Sequence, residues 1–300
     1  MLRALPRALR LSRPWRSPGA RDCASNAKTG TPEIQVHALT GPDKGITEVL
    51  MNRPHARNAL GNVFVSEVRY GTPGRGLGWA KKYLTTCPLQ LLEALAQLRE
   101  DQQVRVLIFR SAVKGVFCAG ADLKEREQMS AVEVGIFVQR LRGLMSEIAA
   151  FPAPTIAAMD GFALGGGLEL ALACDLRIAG GTQRLPRCLG VALAKELIFT
   201  GRRVNGMQAH ELGLVNHAVA QNEEGNAAYH RALALAQEIL PQAPIAVRLG
   251  KVAIDRGMET VEWQEGLQYS SRIMDKELAA PKEGVGNQAG KLGAWRTSGI

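Results

Sequence analysis

No apolar run in this 300-residue sequence approaches the roughly 20 consecutive residues that a transmembrane helix needs. The sequence also has no CxxC pair and no other cysteine spacing typical of a metal site. We therefore expect no membrane span and no bound metal. The dispersed cysteines predict reduced, mostly buried thiols rather than disulfides. They are Cys23, Cys87, Cys118, Cys174 and Cys188.

Acidic residues are absent from the first 21 residues, which carry six arginines. Arg3, Arg7 and Arg10 follow a helical spacing, and leucines lie on another face. Without the six arginines the net charge falls from +9 to +3. Such a start is typical of a mitochondrial transit peptide, although a basic arm for nucleic acid is an alternative. We expect residues 1–32 to be a transit peptide and linker, and the mature protein to reside in the mitochondrial matrix.

Short apolar segments alternate with helical patterns along most of the chain. Ser130-x-x-Glu133 is a capping-box sequence that predicts the start of a long amphipathic helix ending before Pro152. Helical patterns dominate from Thr182 onward. The alternation predicts an α/β architecture. Strands are predicted at residues 33–39, 46–51, 104–110 and 155–159.

One helical pattern is interrupted by a stretch that cannot be helical. The pattern begins at residues 58–67 and resumes at residues 91–98. Residues 68–89, which lie between, contain four glycines, two prolines and four basic residues, with no acid. Glycine and proline at this density break a helix. We therefore interpret residues 68–89 as a loop or a disordered insertion.

Two glycine-rich segments lie where a predicted strand ends and a helix begins, at residues 117–123 and 161–169. Small residues there let the backbone approach a ligand, and free amides at the helix start point toward it. Two such amides that converge on one carbonyl oxygen would form an oxyanion hole. Glu169, one turn into the second helix, is a candidate general acid or base. The alternative is a pair of tight turns with a solvated Glu169. The GxGxxG order of an NAD-binding loop is missing.

The amino-acid sequences of both segments resemble the two signature segments of the crotonase superfamily, the enoyl-CoA hydratases and isomerases. These segments read AGADLKE and GFALGGGLELALACDLR here. Asn52-Arg53-Pro54 with Asn58-Ala59-Leu60 resembles the family's first CoA-facing loop. Residues 180–185 and 209–215 resemble later stretches. The resemblance implies a crotonase-like spiral of ββα units with a helical C-terminal region.

The resemblance also implies a reaction and the residues that perform it. The amides of Ala121 and Gly166 would hold the thioester oxygen of an enoyl-CoA and stabilise an enolate, while Glu169 would activate water. No metal or redox cofactor would be needed, because coenzyme A enters as part of the substrate. The family resemblance further implies a homo-oligomer, a trimer or a hexamer. The residues expected to bind the substrate are Arg53, Ala59, Ala119, Gly120, Asp122, Leu123, Lys124 and Gly165.

The sequence departs from the family pattern at the second catalytic glutamate. Hydratases carry it about twenty residues past the first, but here Ala179 is followed directly by Gly180-Gly181-Thr182. Glu196 and Glu211 belong to later helices and are poor substitutes. The crotonase-like domain is expected to span residues 33–258 with part of the spiral missing. Residues 259–300 are an atypical tail whose composition predicts disorder.

Three functions remain open at this point. The chain is an enoyl-CoA hydratase of fatty-acid or branched-chain amino-acid breakdown, a catalytically weak acyl-CoA-binding form, or an RNA-binding protein. One family member binds AU-rich RNA through a lysine-rich first helix. The matching residues 58–67 and 91–102 contain no lysine, so RNA binding is not expected. Loss of one acid or base typically costs ~10²–10⁴ in rate, and we expect impaired hydration.

Overall fold

The computed structural model describes residues 32–61, 91–180, 182–183 and 191–259. All of them belong to one compact unit that begins at Pro32. The predicted transit peptide, the predicted insertion at 68–89 and the predicted tail after residue 259 lie outside the described residues. Those three interpretations therefore stay predictions.

Ten strands and eight helices are present in the described residues. The strands are β1 (Ile34–Ala38), β2 (Ile46–Met51), β3 (Val106–Ser111), β4 (Gly115–Cys118), β5 (Thr155–Met159), β6 (Gly161–Ala163), β7 (Leu176–Gly180), β8 (Thr182–Gln183), β9 (Val204–Asn205) and β10 (His217–Val219). The helices are α1 (Leu91–Glu100), α2 (Leu123–Glu127), α3 (Ala131–Ala149), α4 (Gly166–Ala173), α5 (Val191–Thr200), α6 (Gly206–Glu211), α7 (Ala227–Ile239) and α8 (Pro244–Glu259).

The main sheet has six strands in the order β1-β2-β3-β5-β7-β10. Only β1 pairs antiparallel with its neighbour, and the other four pairings are parallel. Successive side chains of β3 point to opposite faces, so Leu107 and Phe109 enter one core cluster while Val106 and Ile108 enter the other. Burial on both faces explains why the inner strands read as continuous apolar runs. The α/β prediction is confirmed.

A second sheet has two strands, and they are also parallel. β4, which follows β3, pairs parallel with β6, which follows β5. These strands approach so closely that a Cβ at Gly161 would lie 2.0 Å from the carbonyl carbon of Gly115. Two units of the predicted strand-strand-helix type therefore lie side by side. After β7 the chain passes to the short β8, which pairs antiparallel with β9.

Helix α3 begins at the predicted capping box. The Ser130 hydroxyl accepts from the Glu133 amide at 3.3 Å, and the Glu133 carboxylate accepts from the Ser130 amide at 2.8 Å. The helix ends at Ala149, before Pro152 as expected. Over the described ranges no helix is long and apolar enough to cross a membrane.

The prediction that a helix begins at Asn58 is wrong for residues 58–61. Arg57 and Asn58 adopt left-handed backbone conformations, with φ of 53° and 55°, and Leu60 forms a parallel bridge with Ala121. Asparagine tolerates this conformation because its short side chain makes local hydrogen bonds. The resumed helical pattern is confirmed, since α1 begins at Leu91.

Candidate active site

Two turns meet at one edge of the small sheet, because β4 and β6 are parallel and their carboxyl ends lie side by side. The turn after β4 contains Gly120, with φ of +92°. A Cβ at Gly120 would lie 2.7 Å from the Leu164 carbonyl oxygen and 3.4 Å from the Gly166 nitrogen. Both the left-handed conformation and the close approach require glycine here. The two predicted signature segments are therefore in contact.

The amides of Ala121 and Gly166 converge in this contact. A Cβ at Gly166 would lie 3.7 Å from the Ala121 nitrogen. Gly166 begins α4, where the first amides have no acceptor within the helix. Among residues 32–61, 91–180 and 191–259, neither amide donates a hydrogen bond to a protein acceptor. Two free, adjacent donors form the arrangement that an oxyanion hole needs.

The backbone of Leu60 holds the Ala121 amide in place. The Leu60 amide donates to the Gly120 carbonyl at 2.7 Å, and the Asp122 amide donates to the Leu60 carbonyl at 3.0 Å. These bonds flank Ala121 on both sides and leave its own amide unused. The loop predicted to face coenzyme A is thus paired with the turn that contains Ala121.

Asn58 joins this loop to the strands beneath it, and sequence analysis gave it no role. It is fully buried. Its side-chain amide donates to Ser111 Oγ at 2.8 Å and to the Phe117 carbonyl at 3.0 Å. Its Oδ1 accepts from the Arg53 amide at 2.7 Å. No local sequence signal marks this role, because Ser111 and Phe117 lie more than fifty residues further along the chain.

Arg53 and Ala59 are buried, with 8% and 7% of their surfaces exposed. The Arg53 guanidinium donates to the Ala59 carbonyl, to Asp122 and to Glu125 at 2.7, 2.9 and 2.9 Å. Its Nε also lies 3.3 Å from a carboxylate oxygen of Glu33. The structure therefore places this predicted substrate-binding arginine in an ion-pair cluster inside the protein.

The remaining predicted substrate-binding residues lie around the two turns. Asp122 is 9% exposed and caps α2, because its Oδ1 accepts from the amides of Lys124 and Glu125. Leu123 is 66% exposed, and Lys124 is exposed beside it. Ala119 and Gly120 precede the Ala121 donor, and Gly165 caps α4. Leu123 and Lys124 offer an exposed apolar and an exposed cationic side chain just beyond Ala121.

Glu169 lies in the first turn of α4 and is exposed. Helical side chains lean toward the helix N-terminus, which directs this carboxylate back toward the end that carries the Gly166 amide. Within the described part of the chain it forms no ion pair. A solvated carboxylate at this place can exchange protons with water and with a ligand held by the two amides.

The chain passes directly from β7 to β8. Only Gly181 separates the end of β7 at Gly180 from β8 at Thr182, so no further strand and loop fit between them. Glu196 is exposed on α5 and pairs with Arg202 at 3.3 Å. Glu211 is exposed at the end of α6. Both glutamates therefore belong to later helices, as the sequence indicated.

The thiol of Cys118 lies directly under the site. It is fully buried, and its Sγ donates to the Asn58 carbonyl at 3.0 Å. Burial raises the pKa of Cys118 to about 12, and hydrogen bonding to the Gly120 backbone opposes this only in part. The protonated thiol is not a nucleophile at neutral pH. Cys118 and Cys174 are both free and buried, as expected of the dispersed cysteines that the structure describes.

Acidic, histidine and cysteine side chains form no group that suggests a metal site in the part of the chain that the structure describes. Across residues 32–61, 91–180, 182–183 and 191–259, no three of them are grouped so that they could hold an ion.

The fold and the two adjoining glycine-rich turns together are of the crotonase type. The chain belongs to the enoyl-CoA hydratase/isomerase family, whose model matches residues 85–181 and 179–291. It is 77% identical over 278 residues to mitochondrial enoyl-CoA hydratase domain-containing protein 2 of Mus musculus, covering 86% of each chain. The Homo sapiens protein of that name is 71% identical, over 90% of this chain and 93% of its own. Mitochondrial methylglutaconyl-CoA hydratase of Homo sapiens is 44% identical, over 80% and 69%.

Solved structures agree with the fold. The enoyl-CoA hydratase of Bacillus anthracis superposes with a TM-score of 0.66 at 34% identity, over 81% of this chain and 90% of that one. The Mycobacterium smegmatis hydratase gives 0.68 at 26% identity, over 84% and 93%. The predicted crotonase-like fold is confirmed.

The comparisons also bear on the predicted missing segment. The two family matches meet at residues 179–181, where the sequence passes from β7 to β8. The match with the Bos taurus protein of the same name extends over 300 positions but covers 92% of this chain. Since 92% of 300 residues is about 276, roughly 24 positions hold a residue only in the relative. The family match ends at residue 291, so the family likeness extends beyond residue 258.

Proposed function

We propose that this chain binds acyl-CoA thioesters and is an enoyl-CoA hydratase-type lyase whose hydration step is impaired. The convergence of the free Ala121 and Gly166 amides carries the proposal, because it creates two donors for one thioester oxygen. Such donors stabilise negative charge that develops on the oxygen in the transition state, and each is worth roughly 2.7–4 kcal/mol.

Hydration would proceed in two proton transfers around one enolate. Glu169 takes a proton from water, and the hydroxide oxygen bonds to the β-carbon of the enoyl group. The electron pair of the double bond moves toward the thioester oxygen, where the amides of Ala121 and Gly166 hold it. The α-carbon must then receive a proton, and the second glutamate that would deliver it is absent from the passage between β7 and β8. We therefore expect a rate ~10²–10⁴ below that of a complete relative.

The proposed reaction involves no metal or redox cofactor, because the thioester itself acidifies the α-carbon and coenzyme A arrives with the substrate. Exposed Lys124 would contribute a positive charge, and Leu123 an apolar surface, on the coenzyme A side. Ala119, Gly120 and Gly165 would contribute close backbone approach.

The cellular setting of the proposal is the mitochondrial matrix, in fatty-acid or branched-chain amino-acid breakdown. The relatives named above are called mitochondrial, and the first 21 residues resemble a transit peptide. Deletion of residues 1–21 should abolish mitochondrial import of a reporter fusion, and unchanged import would contradict this localisation. A homo-trimer or hexamer is proposed from the family alone, and light scattering on the purified chain measures it.

A form that only binds acyl-CoA is the second candidate, and the direct passage from β7 to β8 favours it. Hydration of crotonyl-CoA by the purified chain, next to the human relative, separates the two functions. Slow turnover that Glu169→Gln abolishes supports an impaired lyase. Binding of butyryl-CoA without turnover supports the binding form, and failure to bind would contradict both.

A further inference from the structure

We propose that Arg53 is a positioning residue that holds the Ala121 amide in the oxyanion hole and does not contact coenzyme A. This inference rests on the proposed function, since it assumes that a thioester oxygen binds at that amide. Sequence resemblance put Arg53 on a loop that faces coenzyme A. The structure instead leaves only 8% of the residue exposed.

The direction of the Ala121 amide depends on one short parallel bridge. The Gly120 carbonyl and the Asp122 amide are both bonded to the backbone of Leu60, so the peptide units on each side of Ala121 are fixed. The bridge is isolated and belongs to no longer strand. Before Ala121 the two loops are also joined by the Ala119 amide, which donates to the Arg57 carbonyl at 3.1 Å, whereas after Ala121 the bridge has only the bond from Asp122 to Leu60. Separation of the loops on that side moves the Ala121 amide away from Gly166.

The Arg53 side chain fastens the two loops of the bridge to each other. Its Nη1 donates both to the Ala59 carbonyl, one residue before Leu60, and to Asp122 Oδ2, one residue after Ala121. Its Nη2 donates to Glu125 on α2, which begins at the next residue. One planar guanidinium therefore spans both sides of the bridge and the helix beyond it.

The charges around Arg53 indicate an internal ion-pair cluster rather than a binding site for phosphate groups. Glu33, Asp122 and Glu125 lie 3.3, 2.9 and 2.9 Å from its three guanidinium nitrogens. Three carboxylates outweigh one cation, so this cluster does not attract the phosphates of coenzyme A. Lysine cannot replace this geometry, because an ammonium lacks the rigid fork that reaches several acceptors at once.

The experiment compares two probes that share coenzyme A but differ in the thioester. Acetoacetyl-CoA ionises to an enolate whose oxygen needs the oxyanion hole, and its absorbance reports the pKa of the bound ligand. Free coenzyme A has no thioester oxygen. Arg53→Lys should weaken enolate binding about tenfold or more and raise the pKa of bound acetoacetyl-CoA, while the Kd for free coenzyme A stays unchanged.

Asp122→Asn is the matched second variant. It keeps the Oδ1 that caps α2 but turns the acceptor that faces Arg53 Nη1 into a donor. Asp122→Asn should also weaken enolate binding without changing the Kd for free coenzyme A. The double variant with Arg53→Lys should bind the enolate little more weakly than either single variant. If Arg53→Lys fails to fold, Asp122→Asn alone decides. Equal weakening of both probes, or no weakening of either, would overturn the inference. A wild-type chain that binds neither probe would overturn the proposed function as well.

Discussion

Gly166 supplies its amide from the first position of α4, the one helical position where proline is well tolerated. Gly165 before it has φ of 48° and ψ of −121°, the mirror image of the extended conformation that precedes proline. Gly166→Pro should therefore fold and lose only the donor. We expect residual hydration, or affinity for the acetoacetyl-CoA enolate, to fall ~10²–10³-fold.

Gly166→Ala is the control for this prediction. It keeps the amide and adds a Cβ that would lie 3.3 Å from Leu60 Cδ1, the end of a flexible side chain. Gly166→Ala should therefore lose less residual hydration, or less affinity for the acetoacetyl-CoA enolate, than Gly166→Pro. Equal activity of the proline variant and the wild type, with both proteins folded, would remove this amide from the site.

The reactivity of Cys118 tests whether the loop that contains Asn58 stays packed on this thiol. Its pKa rises from 9.0 to about 12 through burial, so iodoacetamide at pH 8 should leave it unmodified in the folded protein and label it in denaturant. Peptide mass spectrometry reads both states. The pKa of Cys118 is higher in the folded protein than in the unfolded chain, so the protonated thiol favours the folded state. This contribution to the free energy of unfolding is complete below pH 9 and is lost as the pH rises toward 12. Rapid labelling of native Cys118 would show that the Asn58 loop opens.

At the scale of single elements, the capping box of α3 can be tested in isolation from the site. Ser130→Ala removes an acceptor for the Glu133 amide and should lower the free energy of unfolding by ~0.5–2 kcal/mol, whereas Ser130→Thr should cost less. Urea denaturation at neutral pH measures both. An unchanged midpoint for Ser130→Ala would show that the N-terminus of α3 is not part of the cooperative unit.

The same cap has a predictable dependence on pH. Hydrogen bonds from the Ser130 backbone and side chain lower the pKa of Glu133 below 4.5. A depressed folded pKa adds stability above pH 4.5, and this stability is lost as the pH falls through the folded pKa. Acidification should therefore reduce the difference in the free energy of unfolding between Ser130→Ala and the wild type.

These elements also show which parts of the fold a sequence can predict. Strand β3, strand β5 and helix α3 follow from local signals, since an apolar run or a capping box lies within the element itself. The conformation of Asn58 does not, because it depends on Ser111 and Phe117, more than fifty residues away. The resemblance to a CoA-facing loop likewise suggested that Arg53 binds the substrate, whereas its partners in the structure include three protein carboxylates. The proximity of Ala121 and Gly166 could be expected, because glycine marks both turns and the family order supplied the rest. The role of their amides as an oxyanion hole stays a prediction.

For the whole molecule, the decisive feature is the direct passage from β7 to β8. Two complete strand-strand-helix units, β3-β4 and β5-β6 with their helices, place the turns that contain Ala121 and Gly166 side by side. After β7, only Gly181 lies before β8, where the family resemblance implies a further segment with the second glutamate. Under the proposed function, this chain keeps both amide donors and is without that acid. The molecule should therefore bind an acyl-CoA better than it hydrates one.

Restoring the missing part is the strongest test of this account. Insertion between Ala179 and Gly180 of a Pro-Glu-type segment like that of the hydratases should raise crotonyl-CoA hydration ~10²–10⁴-fold, because it would return the acid that protonates the α-carbon. The affinity for butyryl-CoA should change far less, since the amides of Ala121 and Gly166 are already present. The same insertion with glutamine in place of its glutamate is the matched control, and it should restore packing without restoring turnover. If the unmodified chain already hydrates crotonyl-CoA as fast as the human relative, and Glu169→Gln abolishes that activity, a single carboxylate suffices and the proposed impairment is wrong.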